Sequence, residues 1–157
     1  MLNQVIPDFE LPSTGGKTFK LSDFKNDSGN QLLAIYFYPK DNTPGCTNQG
    51  QGFRDSYEQF KLAGCEIIGI SRDSLKSHEN FKAKFSFPFE LLADTEEVAC
   101  GIFGVIKMKK MYGKDVRGIE RSTFIIDKKG ALVQEWRGVK VDGHVQAVLS
   151  FVQARNN

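Results

Sequence analysis

Cys46 closes the run Pro39-Lys40-Asp41-Asn42-Thr43-Pro44-Gly45-Cys46, between an apolar segment and a segment able to form a helix. A thiol reacts as its thiolate, and a helix N-terminus stabilises an anion through its unpaired amides and its dipole. A free thiol titrates near ~8.5, so only a small fraction is ionised at neutral pH unless such groups surround it. Thr43 places a hydroxyl three residues before the sulfur, and two prolines stiffen the turn. An isolated cysteine is by default a small buried hydrophobe. One thiol, one hydroxyl and a fixed turn at a strand-to-helix junction instead make a site for a thiol nucleophile.

The elements that must hold this turn are readable from the apolar pattern. Residues 31–38 form a continuous apolar run, as in the middle of a sheet. A helix is expected from about Thr47 to Leu62 and a second buried strand over 66–71, rich in β-branched residues. Ser74 or Asp73 can cap a helix that turns Phe81 and Phe85 to the core. A short strand over 89–93 follows, and Asp94 caps another helix with Glu96 and Glu97 in its first turn. Residues 123–127 and 132–136 flank Lys128-Lys129-Gly130 as a hairpin, and a helix begins near Asp142. At the other end, Thr14-Gly15-Gly16-Lys17 reads as the turn of a short hairpin, and residues 26–30 as a turn. Strands alternating with helices give an α/β layered sheet.

The chain of 157 residues fits one domain, residues 1–157, with a sizeable core. A net charge of +2 implies neither a nucleic-acid nor a membrane partner, and Lys107-Met108-Lys109-Lys110 reads as a solvated face. Nothing in the first residues resembles a signal peptide, and no run approaches the ~20 apolar residues of a membrane span. Three cysteines, an odd number, argue against a disulfide framework and for a reducing compartment, so a cytoplasmic location is expected. His78 and His144 have no paired ligand spacing and read as exposed, and no glycine-rich phosphate loop appears; no metal or cofactor is implied.

Pro39-xxx-Thr43-xx-Cys46 resembles the active-site signature of the peroxiredoxins, thiol peroxidases of thioredoxin-like fold. The longer string from Tyr36 to Thr47 is similar to one branch, the bacterioferritin comigratory protein or peroxiredoxin Q group. A second match lies in Gly118-Ile119-Glu120-Arg121-Ser122-Thr123-Phe124, and Pro7-Asp8-Phe9 and Leu92-Ala93-Asp94 also fit. The resemblance implies a central mixed sheet flanked by helices, with an N-terminal β-hairpin. It implies attack of the Cys46 thiolate on hydrogen peroxide or an organic hydroperoxide, giving a sulfenic acid. It assigns Arg121 to the thiolate and peroxide, Thr43 to orienting them and Pro39 to shielding the site. A monomer is expected.

The second half of the cycle departs from the family. Where many members carry a resolving cysteine, five residues after the first, this chain has Gln51; where others carry it, the chain reads Asn80-Phe81-Lys82. Cys65 precedes a buried strand and reads as inert core; Cys100, on a short helix, is the better candidate resolver. The default is a one-cysteine cycle with an external thiol, thioredoxin or glutathione with glutaredoxin. An intramolecular disulfide with Cys100 and a redox sensor passing oxidation to a partner are the alternatives. A disulfide oxidoreductase would need a second thiol close by, and Asn48-Gln49 stand there instead. Gly50 and Gly52 would each weaken the helix by ~1 kcal/mol, suggesting that the turns after Cys46 unwind easily.

Overall fold

In β3, Leu32–Phe37, alternate residues face opposite ways, and both sets are buried. Leu33, Ile35 and Phe37 enter one core layer, while Leu32, Ala34 and Tyr36 enter the other. A strand buried on both faces must lie inside a sheet with helices on either side. The computed structural model, which describes residues 1–27 and 29–155, shows this arrangement. The turn expected over 26–30 includes position 28 and so lies partly outside the described residues.

The remaining strands are β1 (Glu10–Ser13), β2 (Lys17–Lys20), β4 (Cys65–Ser71), β5 (Glu90–Ala93), β6 (Ile106–Met111), β7 (Lys114–Ile119), β8 (Ser122–Asp127) and β9 (Leu132–Trp136). Seven strands form one sheet in the order β2-β1-β5-β4-β3-β8-β9. β3, β4 and β5 are parallel, whereas β8 runs antiparallel to β3 and β1 antiparallel to β5. The helices are α1 (Leu21–Asn26), α2 (Pro44–Leu62), α3 (Leu75–Phe85), α4 (Val98–Phe103) and α5 (His144–Arg155). Residues of α1 and α4 pack into one core layer and those of α2, α3 and α5 into the other. Among the described residues no helix is long and apolar enough to cross a membrane.

Several expectations needed revision. α2 begins at Pro44, three residues earlier than its apolar pattern suggested, because proline at the first helical position loses no hydrogen bond. Cys46 is therefore inside the first turn. Ser74, not Asp73, caps α3, accepting a hydrogen bond from the Ser77 amide at 3.1 Å. Glu96 and Glu97 precede α4 rather than occupying its first turn, while Asp94 reaches forward to accept from the amides of Val98 and Cys100. The lysine run 107–110 belongs to a two-stranded ribbon, β6 with β7, that pairs with no other strand among the described residues. Its residues are largely exposed, as a solvated face requires, but the strand period was hidden because neither face is buried.

The glycines of α2 have a packing role that their helix propensity does not suggest. A Cβ on Gly50 would come within 2.5 Å of the Phe87 ring, and one on Gly52 within 3.0 Å of Val145. Phe87 is itself wedged among Phe81, Phe85 and Phe89 at ring separations of 5.0, 5.9 and 5.2 Å. Gly50 thus lets α2 approach this aromatic cluster. Gly50→Ala should lower the unfolding free energy by about 1–2 kcal/mol in urea titrations, overpacking outweighing the gain in helix propensity. A gain in stability would instead favour a role in helix unwinding.

Candidate active site

The C-terminal ends of the parallel strands and the start of β8 lie along one edge of the sheet. In the register of β3 with β8, Phe37 stands opposite Ser122. Arg121 therefore projects just where the chain leaves β3 for the turn leading to α2. Its Nη2 lies 3.5 Å from Cys46 Sγ, and its Nη1 donates to Gln49 Oε1 at 2.5 Å. Gly45 makes room for this approach, since a Cβ there would lie 3.2 Å from Arg121 Nη2.

Cys46 is only 2% exposed, and Gln49 is fully buried one helical turn further on. Sequence reasoning missed Gln49. Its spacing of three from Cys46 was the available signal, because residues three apart share a helix face. Its Nε2 has no partner among the described residues, and neither has the buried Tyr36 hydroxyl. Burial first, then the neighbouring Cys46 and Asp41, push the Tyr36 phenol well above its ordinary range. It stays a neutral hydroxyl under the site.

Thr43 precedes α2 and is half-buried. Its hydroxyl donates to the Lys40 carbonyl at 2.9 Å, which leaves only its oxygen lone pairs for another group. Pro39 is exposed at the point where β3 ends. Of the four expected site residues, Arg121 and Cys46 are thus in contact, and Thr43 and Pro39 lie on the turn between β3 and α2.

Neither remaining cysteine is near Cys46 in the way a disulfide requires. Cys65 pairs with Leu32 at the opposite end of β3, on the order of 20 Å away by strand rise. Burial pushes its thiol up to about 12. Cys100 belongs to the core layer on the other face of the sheet from Cys46. Burial, and then its hydrogen bond with Asp94, raise its thiol far above the ordinary value. Bridging either to Cys46 needs Cα atoms within about 7 Å, which this arrangement denies without unfolding.

Both histidines, expected at the surface, are buried: His78 is 0% and His144 6% exposed. Each is accommodated because a polar partner reaches it inside the fold. Asp41, Asp73 and His78 bring ligand-type atoms within 4.8 Å of one another. The converging atoms are already engaged with protein groups, including His78 Nδ1 with Asp41 at 2.7 Å and Asp73 Oδ2 with the Asp41 amide at 2.9 Å. His144 Nε2 lies 2.8 Å from Thr123 Oγ1. Burial, and then the charge of Arg121, push His144 down to about 4.

The AhpC/TSA family model matches residues 2–135. The chain is 49% identical over 152 residues to peroxiredoxin Bcp of Bacillus subtilis, covering 97% of this chain and 94% of that protein. It is 56% identical over 122 residues to peroxiredoxin Bcp of Xanthomonas campestris, covering 78% of this chain and 76% of the relative. Its fold is similar to solved peroxiredoxin Q from Xanthomonas campestris, with TM-score 0.87, 49% identity and coverage of 95% and 92%. A second structure, of the bacterioferritin comigratory protein from the same organism, was solved as trapped intermediate and ligand complexes bearing on alkyl peroxide reduction. It gives TM-score 0.87 at 48% identity, covering 95% of this chain and 92% of that one.

The depressed His144 generates a pH prediction. Its folded value of about 4 lies below the ordinary 6.5, so the unfolded chain takes up the proton first on acidification. Stability is unaffected by this group above about pH 6.5 and falls as pH drops towards about 4, by on the order of 3 kcal/mol. Urea unfolding of His144→Gln should show a smaller loss between pH 7 and about pH 4.5 than the unmodified chain, by roughly 2–3 kcal/mol. Equal losses would contradict the assignment.

Proposed function

This chain belongs to the AhpC/TSA peroxiredoxins, in the bacterioferritin comigratory protein or peroxiredoxin Q group, and from that premise we propose how its residues divide the work of a thiol-dependent peroxidase. The enzyme reduces a peroxide with electrons from a thiol. Cys46 is the nucleophile. The observation that carries this reading is the Arg121 guanidinium, held by Gln49 and directed at the sulfur in the first turn of α2.

In the first step the Cys46 thiolate attacks one peroxide oxygen in line with the O–O bond. An S–O bond forms, the O–O bond breaks, and the sulfur loses two electrons. The departing oxygen takes a proton and leaves as water or an alcohol, and the product is Cys46 sulfenic acid. Arg121 offers several fixed donors, so it stabilises both the thiolate and the charge gathering on the leaving oxygen. With its own proton on the Lys40 carbonyl, Thr43 Oγ1 accepts from the peroxide hydroxyl and fixes its direction. Pro39 shields the thiolate from water, its outer face exposed as a cover must be. Hydrogen peroxide and small organic hydroperoxides suit a sulfur so deeply buried.

We assign regeneration to an external thiol. That thiol displaces water from the sulfenic acid to form a mixed disulfide, and a second thiol releases Cys46. The separation of Cys65 and Cys100 from Cys46 supports this one-cysteine cycle over an intramolecular bridge to Cys100. Thioredoxin, or glutathione with glutaredoxin, fits the role of reductant. The working form is a single-domain monomer in the cytoplasm, where such thiols are kept reduced.

Single-turnover mixing of the reduced enzyme with hydrogen peroxide tests the assignment. Cys46→Ser should abolish the reaction, and Arg121→Gln should slow it by roughly 100- to 1,000-fold, as for loss of a transition-state donor. Cys65→Ser and Cys100→Ser should retain it. Undiminished turnover in Cys46→Ser would overturn the reading.

A further inference from the structure

The turn that carries the reaction is anchored by a buried polar network that the peroxidase chemistry above does not use. Asp41, two residues before Thr43, is 6% exposed. Its Oδ1 accepts from the Tyr38 hydroxyl at 2.6 Å, and its Oδ2 accepts from Ser77 Oγ at 2.8 Å and meets His78 Nδ1 at 2.7 Å. The other nitrogen of His78, Nε2, lies 2.9 Å from the Leu92 carbonyl in β5. Both ring nitrogens thus meet polar atoms of other elements, which fixes the ring between Asp41 and β5. The Asp41 amide donates in turn to Asp73 Oδ2, which also accepts from Ser71 Oγ.

We propose that Asp41 and His78 are positioning residues for the peroxide step, fixing the β3–α2 turn against α3 and β5 so that Thr43 and the first turn of α2 meet Arg121 correctly. The proposal rests on Cys46 being the nucleophile. Four observations support it. The pair joins the turn to two elements remote in sequence, whereas a turn needs no such anchor merely to reverse the chain. Asn42 adopts a left-handed φ of 61°, which asparagine accepts more readily than most residues and which gives the turn a defined shape. Its side chain accepts from Lys84 Nζ at 3.1 Å, a second tether to α3. Finally, a buried carboxylate and imidazole with every contact satisfied form a rigid support, and a shift of about 1 Å at a reacting group can slow a reaction by about 100-fold.

Position acts on the peroxide reaction more than on the thiol itself, and this separates a positioning role from a structural one. Two rates at Cys46 are measured for each variant, corrected for the folded fraction: oxidation by hydrogen peroxide and alkylation by iodoacetamide. Alkylation is run at a pH where Cys46 is fully ionised in every variant, so that it needs the sulfur but not the alignment of Thr43 and Arg121 around an O–O bond. For His78→Gln and Asp41→Asn the peroxide rate should fall by roughly 10- to 100-fold while alkylation changes by less than about threefold. The double variant should be no slower than the slower single one, since both remove the same support. Ser77→Ala, which deletes one bond to Asp41 and leaves the Asp41–His78 contact, should give a smaller fall of the same kind and serves if the others do not fold. Parallel falls in both rates, or a peroxide rate within about twofold of the unmodified chain in the variants that fold, would overturn the proposal. A reduced, unmodified chain whose Cys46 ignores peroxide would instead overturn the nucleophile assignment beneath it.

Discussion

The contact on which the molecule turns is that between the Arg121 guanidinium and Cys46 Sγ, groups 75 positions apart in the chain. In the reaction proposed above Cys46 acts as a thiolate at 2% exposure, so fixed charges and dipoles must replace the hydration it loses. In that proposal the guanidinium supplies the charge and the first-turn amides of α2 supply the dipoles. The antiparallel pairing of β8 with β3 delivers Arg121 to the strand end where the turn begins. Proline at the first helical position starts α2 early enough to enclose the sulfur in its first turn.

Around this contact several polar groups are tied, while Gln49 Nε2 and the Tyr36 hydroxyl have no partner among the described residues. Gln49 fixes the guanidinium on one side, and Thr43 spends its proton within the turn. Behind the turn, Asp41 and His78 bridge α3 and β5. Buried polar networks of this kind add little net stability and specify one arrangement strongly when every member is satisfied. The apolar layers do the opposite work. They are deep and aromatic, and they place Cys100 in one layer and Cys46 and Cys65 in the other, the last two at opposite ends of β3.

The sequence made much of this visible. Strands β3, β4 and β8 are long apolar runs whose burial on both faces leaves little ambiguity, and Thr43, Pro44 and Cys46 mark the strand-to-helix junction directly. What stayed hidden depends on tertiary partners. Nothing local distinguishes a buried histidine from an exposed one, so His78 and His144 were misread; their burial follows from Asp41, Leu92 and Thr123, which reach them from other elements. Gln49 was passed over because its importance lies in a residue contributed by β8's approach. The exposed ribbon β6–β7 lacked the alternation that burial imposes. The glycines of α2 suggested a weak helix, whereas Phe87 and Val145 show what the missing side chains make room for.

The central claim is that one thiol alone carries the redox chemistry. The most direct test is the intact mass of the reduced protein after one equivalent of hydrogen peroxide, with thiol labelling after unfolding. The account predicts gain of a single oxygen, mapped to Cys46, with Cys65 and Cys100 both still labelled. Loss of two hydrogens instead, with two thiols no longer labelled, would contradict it by revealing an internal disulfide.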